Sequence, residues 1–361
     1  MILTTITFII VLGILVLVHE LGHFIAAKKA GVKVLEFAFG FPPRIWTKKK
    51  GETNYSINAI PLGGYVKMLG ELEESKSPRA FENQKPGKRF MISVSGVLMN
   101  LVLAWVLLTI GFAVGMSPLV SDPDTIPGKK LSSEVILADI VKDSPASKVD
   151  LKAGSIIKGA ELNGEIFTFN TISDLSKFTK SHYGQTIKLN VIPENSKELK
   201  SVDITLQGEK DAPLGVVLVD KTIIRVPWYK APYVALRETA KIVELTFDFL
   251  KSFFAKLFVS GKVSEEVGGP VAIYTYTGLA VKAGVMAVLQ FVALLSVNLA
   301  LLNILPFPAL DGGRIIFILA EIVARKKVVK ERIENIIHTA GFVLLIALIL
   351  LVTYKDILKL F

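Results

Sequence analysis

The chain has 361 residues, of which 51% are hydrophobic, and its mean hydropathy is +0.52. This composition is too apolar for an ordinary soluble domain and indicates a membrane protein. The chain has no cysteine, which excludes disulfides and thiolate ligands, so a metal site would have to use His, Asp or Glu. The formal charge of +10 does not indicate a nucleic-acid partner, because the basic residues crowd beside apolar segments as the positive-inside rule expects.

The first predicted element is an apolar helix from residue 2 to about residue 27, which is long enough to cross a bilayer. Lysines follow it at once, which marks the cytoplasmic side and places the N-terminus outside. The motif His19-Glu20-x-x-His23 stands near the inner end of this span. Residues four apart share a helix face, so both imidazoles can point at one ion while Glu20 lies beside it, as suits a general base. The alternative is a polar helix end whose histidines face headgroups.

Residues 34–89 are predicted to form β-hairpins close to the inner membrane face. The segment Tyr55 to Ile60 alternates as a strand does, and residues 48–52 are typical of a polar turn. Non-helical backbone at membrane depth must be buried in protein or line a wet cavity. The alternative for this region is an ordinary soluble loop.

A second span is predicted from Phe90 to about Met116, preceded by cations that again mark the inside. Gly96 and Asn100 lie four residues apart within it. A small residue allows close helix contact, and a buried amide is expected to have a partner. Residues 1–116 are therefore predicted to be the N-terminal membrane part.

Residues 117–226 are typical of one small α+β domain, because apolar density falls and short alternating segments recur there. A helix is predicted over residues 173–180, and the domain falls on the side opposite the lysine clusters. Residues 227–283 follow as an interfacial segment, in which aromatic residues interspersed with lysines from Trp228 to Phe258 predict an amphipathic helix in the outer membrane interface. The alternative is a helix packed on the soluble domain.

The C-terminal membrane part, residues 284–361, is predicted to contain a third span from Gly284 to Leu305 and a fourth from Ile333 to about Tyr354. Basic residues between them mark their connecting loop as cytoplasmic. The two remaining histidines are expected to be incidental, since His182 is in the soluble domain and His338 belongs to the fourth span.

Counting the spans brings three candidate metal ligands together. Spans one and three both run inward, so His19 and His23 at the inner end of the first span and Asp311 beyond the inner end of the third lie at the same depth. Pro306, between Asn303 and Asp311, helps to stop regular helix there. Three such ligands with one open position are typical of a catalytic zinc site.

Three motifs occur in the order of a known family: His19-Glu20-x-x-His23, Ile60-Pro61-Leu62-Gly63-Gly64-Tyr65-Val66-Lys67 and Asn303-x-x-Pro306-x-x-x-x-Asp311-Gly312. With these motifs the chain resembles the site-2 protease family, most of all its bacterial regulator-of-sigma-E type, over nearly its whole length. The resemblance implies an intramembrane zinc metalloprotease of the bacterial inner membrane. Its partners would be transmembrane proteins of the anti-sigma-factor type or signal-peptide remnants, together with the lipid bilayer.

The resemblance also implies roles for individual residues. An amide at the third span would hold the unwound substrate strand, and the hairpin would offer that strand a β edge. Both chain termini and the inserted domain would be extracytoplasmic, with the zinc ion (Zn²⁺) near the cytoplasmic side. The implied residues are the zinc ligands His19, His23 and Asp311, the base Glu20 and the substrate-binding residues Asn303, Gly63, Gly64 and Tyr65.

The inserted domain resembles a PDZ domain in the segments Ser144-Pro145-Ala146, Ala153-Gly154 and Leu162-Asn163-Gly164. Only one such domain is expected, whereas some relatives have two. The predicted fold class is thus an α-helical polytopic membrane protein with four transmembrane helices, a membrane-associated β-hairpin region and one inserted α+β PDZ domain. The chain departs from the family pattern at Gly40-Phe41-Pro42-Pro43, at Gly96-Val97 and at Gly154-Ser155, none of which is a proposed zinc ligand.

Two other functions fit part of the pattern. An inactive PDZ-containing membrane scaffold would need no general base, so the presence of Glu20 argues against it. A metal transporter using the same ligands would favour further polar residues across the spans, where only Asn100 and Asn298 stand out.

Overall fold

The computed structural model describes residues 1–71, 75–149, 151–193, 196, 198–260, 268–329 and 331–358. The chain divides into two compact units. One unit comprises residues 1–111 and 231–361, and the other comprises residues 112–230. The first unit carries all of the apolar helices that matter for the candidate site, and the second is the domain inserted between them.

Four helices of the described residues are long and apolar enough to cross a membrane. This confirms the prediction of four spans. They are α1 (Ile2–Ala30), α2 (Pro86–Val114), α6 (Val285–Ile304) and, within α8 (Glu331–Leu358), the segment Ile336–Leu358.

The helices α1, α2 and α6 share an apolar core. Val11 and Leu15 of α1 and Val292 of α6 are buried together, with leucines of α2 packed around them. Dispersion between closely packed side chains is what holds such helices together in lipid, where burial from water contributes nothing. The core lies one and two helical turns before the histidine motif on the same face of α1.

The predicted hairpin region is a single two-stranded sheet of bent strands, β1 (Val34–Lys50) and β2 (Thr53–Met68). Residues 36–39 pair on one side with residues 64–67 in antiparallel register. On the other side they pair with residues 54–57, and in this second pairing the residue numbers increase in the same direction along both segments. The predicted polar turn at residues 48–52 is shorter, because β1 continues through Lys50 opposite Thr53. The lysines at its end lie on an edge strand, where charge prevents pairing with another chain.

Three more helices of this unit lie within the described residues: α4 (Ala231–Ser260), α5 (Pro270–Ala283) and α7 (Asp311–Ala324). Thr246 of α4 donates a hydrogen bond to Asn298 Oδ1 of α6 at 3.2 Å. The Trp105 indole of α2 donates to the carbonyl of Pro232 at 2.9 Å. These contacts attach α4 to the spans α2 and α6.

The inserted unit is an α+β domain, as predicted. Its strands and α-helix among the described residues are β3 (Lys129–Ile140), β4 (Ile156–Leu162), β5 (Glu165–Thr168), α3 (Ile172–Ser181), β6 (Thr186–Ile192), β7 (Lys200–Thr205) and β8 (Val216–Arg225). These strands form one sheet in the order β7-β6-β4-β3-β8, with β5 paired to β4, and all pairs are antiparallel. Aliphatic residues of the sheet pack with Leu175 and Phe178 of α3 in the core.

Candidate metal centre

Helix α1 buries one stripe of residues, and the two histidines continue it. Val11, Leu15, His19, His23 and Ala27 follow each other at spacings of four on the inner face. Each histidine is only 8% exposed. The same stripe that packs the first span against its neighbours therefore points both imidazoles into the protein.

A short non-helical segment between α6 and α7 positions Asp311. It is the first residue of α7, and the two glycines that follow it pack against backbone carbonyls of the segment. A Cβ at Gly313 would lie 2.5 Å from the Phe307 carbonyl oxygen, and one at Gly312 would collide with the carbonyl of Leu305. Only glycine permits this approach, so the sequence Asp-Gly-Gly fixes the aspartate against the end of α6.

The three side chains converge on one point. His19 Nε2 lies 3.2 Å from His23 Nε2, and Asp311 Oδ2 lies 3.1 Å from the first and 3.3 Å from the second. Zinc bonds of about 2.0–2.1 Å in a tetrahedron place neighbouring ligand atoms roughly 3.3 Å apart. The triangle therefore has the dimensions of three corners of a zinc site, and it leaves a fourth corner open.

Two further observations fit a bound cation. Asp311 Oδ2 is buried, and no hydrogen-bond donor among the described residues satisfies it. An anionic oxygen without a donor in an apolar interior is costly, and a metal ion removes that cost. His23 Nδ1 lies 2.8 Å from the carbonyl oxygen of Ile92 on α2. This carbonyl can accept only from an Nδ1–H, which leaves the Nε2 lone pair facing the proposed metal position.

A cavity of about 380 Å³ opens beside the triangle. Glu20, Asn303 and Tyr65 line it together with the three candidate ligands. The Asn303 amide makes no hydrogen bond within the described part of the chain. The Asn303 side chain therefore forms no cap at the broken end of α6 within these residues.

The two hairpin glycines that were predicted to bind substrate lie next to the cavity-lining residue Tyr65 in β2. Gly63 and Gly64 are not among the residues that line the cavity. A Cβ at Gly63 would collide with the Phe41 ring, and one at Gly64 would lie 2.9 Å from the Ala38 carbonyl oxygen and 3.3 Å from Glu20 Cγ. Gly64 thus lets β2 approach α1 directly beside Glu20.

His338, which was expected from the sequence to be incidental, contacts the segment that carries Asp311. Its Nδ1 accepts a hydrogen bond of 3.0 Å from the backbone N–H of Ala309, two residues before Asp311, and the ring lines the cavity. An ionisable residue inside a span is a functional candidate by default, and that signal was available in the sequence. Arg314, which pairs with Glu71 at 2.6 Å, also lines the cavity and was not predicted.

Comparisons with known proteins identify the family to which this chain belongs. The family model for peptidase family M50 matches residues 7–348. A candidate zinc metalloprotease of Clostridium acetobutylicum is 37% identical over 97% of this chain and 96% of its own length. One from Clostridium perfringens is 35% identical over 95% of each chain. The zinc metalloprotease RasP of Oceanobacillus iheyensis is 29% identical over 99% of each chain.

The matched residues extend from the first span into the last, and they include the histidine motif and Asp311. Relatives that share the full length carry the name of zinc metalloprotease. The chain therefore belongs to peptidase family M50, the site-2 protease family, and is a zinc-dependent membrane metalloprotease.

Proposed function

We propose that this protein hydrolyses peptide bonds within transmembrane segments of other membrane proteins. The substrate class would be regulatory proteins of the anti-sigma-factor type or signal-peptide remnants. The observation that carries the proposal is the position of the ligand triangle, which is built from candidate span α1 and from the segment that follows candidate span α6. A site formed at span ends favours a substrate that arrives from the bilayer.

His19, His23 and Asp311 are the proposed zinc ligands, and Glu20 is the proposed general base. A zinc ion bound there would supply Lewis acidity, which can lower the pKa of water from 15.7 to about 7. Glu20 lines the same cavity, so its carboxylate can take the proton from the attacking water and later give it to the leaving amine. The presence of this carboxylate beside the ligands disfavours the inactive scaffold.

The substrate segment is proposed to bind as a strand. A helix hides its carbonyls in its own hydrogen bonds, so it must unwind before hydrolysis and needs new partners. Within the described residues, the strand over residues 60–67 pairs with β1 along one edge and has no strand on the other. Adding the substrate to this free edge would replace the lost backbone hydrogen bonds.

Asn303 and Tyr65 are the proposed side-chain contacts of this strand. Both line the cavity, and the Asn303 amide has no hydrogen bond among the described residues, which leaves its donors and acceptor open to a substrate backbone. Gly63 and Gly64 would contribute through their backbone and by holding the strand close to Glu20.

The inserted domain, residues 117–226, is proposed to be an extracytoplasmic PDZ domain. One antiparallel sheet with a helix in a domain of this size supports such an assignment. The lysines that follow α1 and precede α2 favour a cytoplasmic position for the catalytic end of the spans, and hence an outer position for this domain in the inner membrane. There it would select substrates by the size of their ectodomains. The segment of residues 227–283 is proposed to lie in the outer interface, and its residues 261–267 are outside the described residues.

Comparing membrane proteomes tests the substrate class. Cells producing Glu20→Gln in place of the wild type should accumulate proteins or fragments that contain an uncleaved transmembrane helix. Restoring the wild type should remove these species. Accumulation confined to soluble proteins would contradict cleavage within the membrane.

A further inference from the structure

Asn100 of α2 is completely buried, and its amide faces the candidate ligand His19. The amide Nδ2 lies 3.4 Å from His19 Nδ1, and the amide Oδ1 is buried with no partner among the described residues. The expectation that this amide has a partner is therefore confirmed, and the partner is the imidazole of a metal-site histidine.

A hydrogen-bond argument decides which end of the amide belongs opposite His19. A neutral imidazole that presents its Nε2 lone pair to a cation carries its proton on Nδ1. That Nδ1–H needs an acceptor, and the amide nitrogen is only a donor. The two ends of an amide have nearly the same shape, so rotating the group by half a turn brings Oδ1 to the ring without other movement.

The backbone of α2 is fixed at this point. Ser296 of α6, itself fully buried, donates a hydrogen bond of 2.8 Å to the Asn100 carbonyl oxygen. One turn earlier, a Cβ at Gly96 would lie 2.7 Å from His19 Cε1 and 2.8 Å from His19 Nε2. The face of α2 that carries Gly96 and Asn100 thus packs closely against His19. Gly96 leaves room for the imidazole, and Asn100 presents a hydrogen-bonding group to it.

We propose that Asn100 is a positioning residue, whose amide oxygen accepts the Nδ1–H of His19 and thereby holds the Nε2 of that ring toward zinc. The proposal rests on the metal site described above. In this arrangement the Nδ1–H of His19 has an oxygen acceptor, as the Nδ1–H of His23 has in the Ile92 carbonyl. Outer partners of this kind fix the tautomer and the orientation of a ligating ring, and losing one typically weakens metal binding 10–100-fold.

The zinc affinity of purified full-length variants tests the proposal, measured by competition with a chelator of known affinity. Asn100→Leu keeps the approximate volume and removes the acceptor, so its zinc affinity should fall roughly tenfold to a hundredfold. Asn100→Asp keeps an oxygen at the same place, so its affinity should stay within a few-fold of the wild type. Thr109→Val removes a hydroxyl whose one hydrogen bond among the described residues is to the Trp105 carbonyl of its own helix, and it should leave the affinity unchanged.

The proposal predicts a zinc affinity close to that of the wild type in Asn100→Asp and a clearly lower one in Asn100→Leu. Wild-type affinity in Asn100→Leu would reduce Asn100 to a packing role and overturn the proposal. If Asn100→Leu does not fold, Asn100→Asp decides alone, and a loss of tenfold or more in that variant would overturn it. His23→Ala separates this question from the metal site itself: loss of zinc there, with any outcome at Asn100, leaves the proposed ligands standing.

Discussion

His23 Nε2 lies 3.3 Å from Asp311 Oδ2, although the two residues stand near opposite ends of the chain. Two candidate spans bring them together, because α1 carries the histidine and Asp311 follows the end of α6. The proposed metal site therefore also joins the N-terminal and C-terminal membrane parts. Removing the ion should loosen this junction as well as stop the chemistry.

Substituting Gly96 tests whether the close packing of α2 against the proposed ligands is needed for zinc binding. In Gly96→Ala the new methyl group would meet His19 and His23 at their metal-facing atoms, so both rings must move. We expect zinc affinity to fall roughly tenfold or more, as it does when ligand orientation is disturbed. Gly87→Ala on the same helix meets nothing within 4 Å and is the matched control, for which unchanged zinc binding is expected. Full zinc affinity in Gly96→Ala would show that the helices separate easily here.

Asn303 should act on the substrate and leave the fold intact. Asn303→Leu is expected to bind zinc normally and to unfold at the wild-type temperature, while losing much of its cleavage rate. An unwound substrate left without this amide has an unsatisfied backbone group, which costs roughly 1–3 kcal/mol. Cleavage should recover in part for substrates whose helix Gly or Pro already weakens.

The nearby amide Asn298 provides the contrast, since it already accepts a hydrogen bond from Thr246. Asn298→Leu should lower the unfolding temperature and change the cleavage rate less than Asn303→Leu does. Unchanged cleavage of a stable helical substrate by Asn303→Leu would remove Asn303 from the mechanism.

His338 should hold the segment that carries Asp311. In His338→Ala the half-buried N–H of Ala309 loses its acceptor, which should destabilise the protein by roughly 0.5–1.5 kcal/mol. His338→Asn places an amide oxygen near the position of Nδ1 and should restore most of that loss. Thermal unfolding of the zinc-bound proteins measures both variants. Equal unfolding temperatures for the wild type and His338→Ala would show that the hydrogen bond contributes nothing.

The inserted domain should gate substrates and take no part in the chemistry. Met116 and Ile224 exchange two backbone hydrogen bonds of 3.2 and 2.9 Å, so residues 121–223 can be removed with the flanking chain held close together. The shortened enzyme should cleave a substrate with a trimmed ectodomain at a rate similar to the wild type, and should reject bulky substrates less. Equal loss of activity on both substrates would make the domain part of the catalytic fold.

The sequence was sufficient to predict positions that follow from the spacing within one helix or from the number of spans. The spacing of His19 and His23 placed both on one face, and the parity of the spans placed Asp311 at their depth. The short α3 was also predicted within one residue at each end, because the helical pattern of Ile172–Ser181 is local.

Other features depend on contacts between distant segments and could not be predicted. The rotation of α2 against α1 depends on close contacts such as Gly22 against Ser95, and this rotation selects His19 as the partner of Asn100. The role of His338 requires α8 to pack on Pro308, which it does at Gly341. The double pairing of residues 36–39 likewise requires a bend in both strands that alternation does not reveal.

Zinc content and cleavage, measured on the same purified preparations of the wild type, Glu20→Gln and Asp311→Ala, test the central claim most directly. Glu20→Gln should hold about one zinc ion per chain and cleave a transmembrane substrate at least about a hundredfold more slowly, because general acid–base catalysis typically contributes 10²–10⁴-fold. Asp311→Ala should lose both zinc and activity. Wild-type cleavage by zinc-loaded Glu20→Gln, or by metal-free protein, would contradict the account.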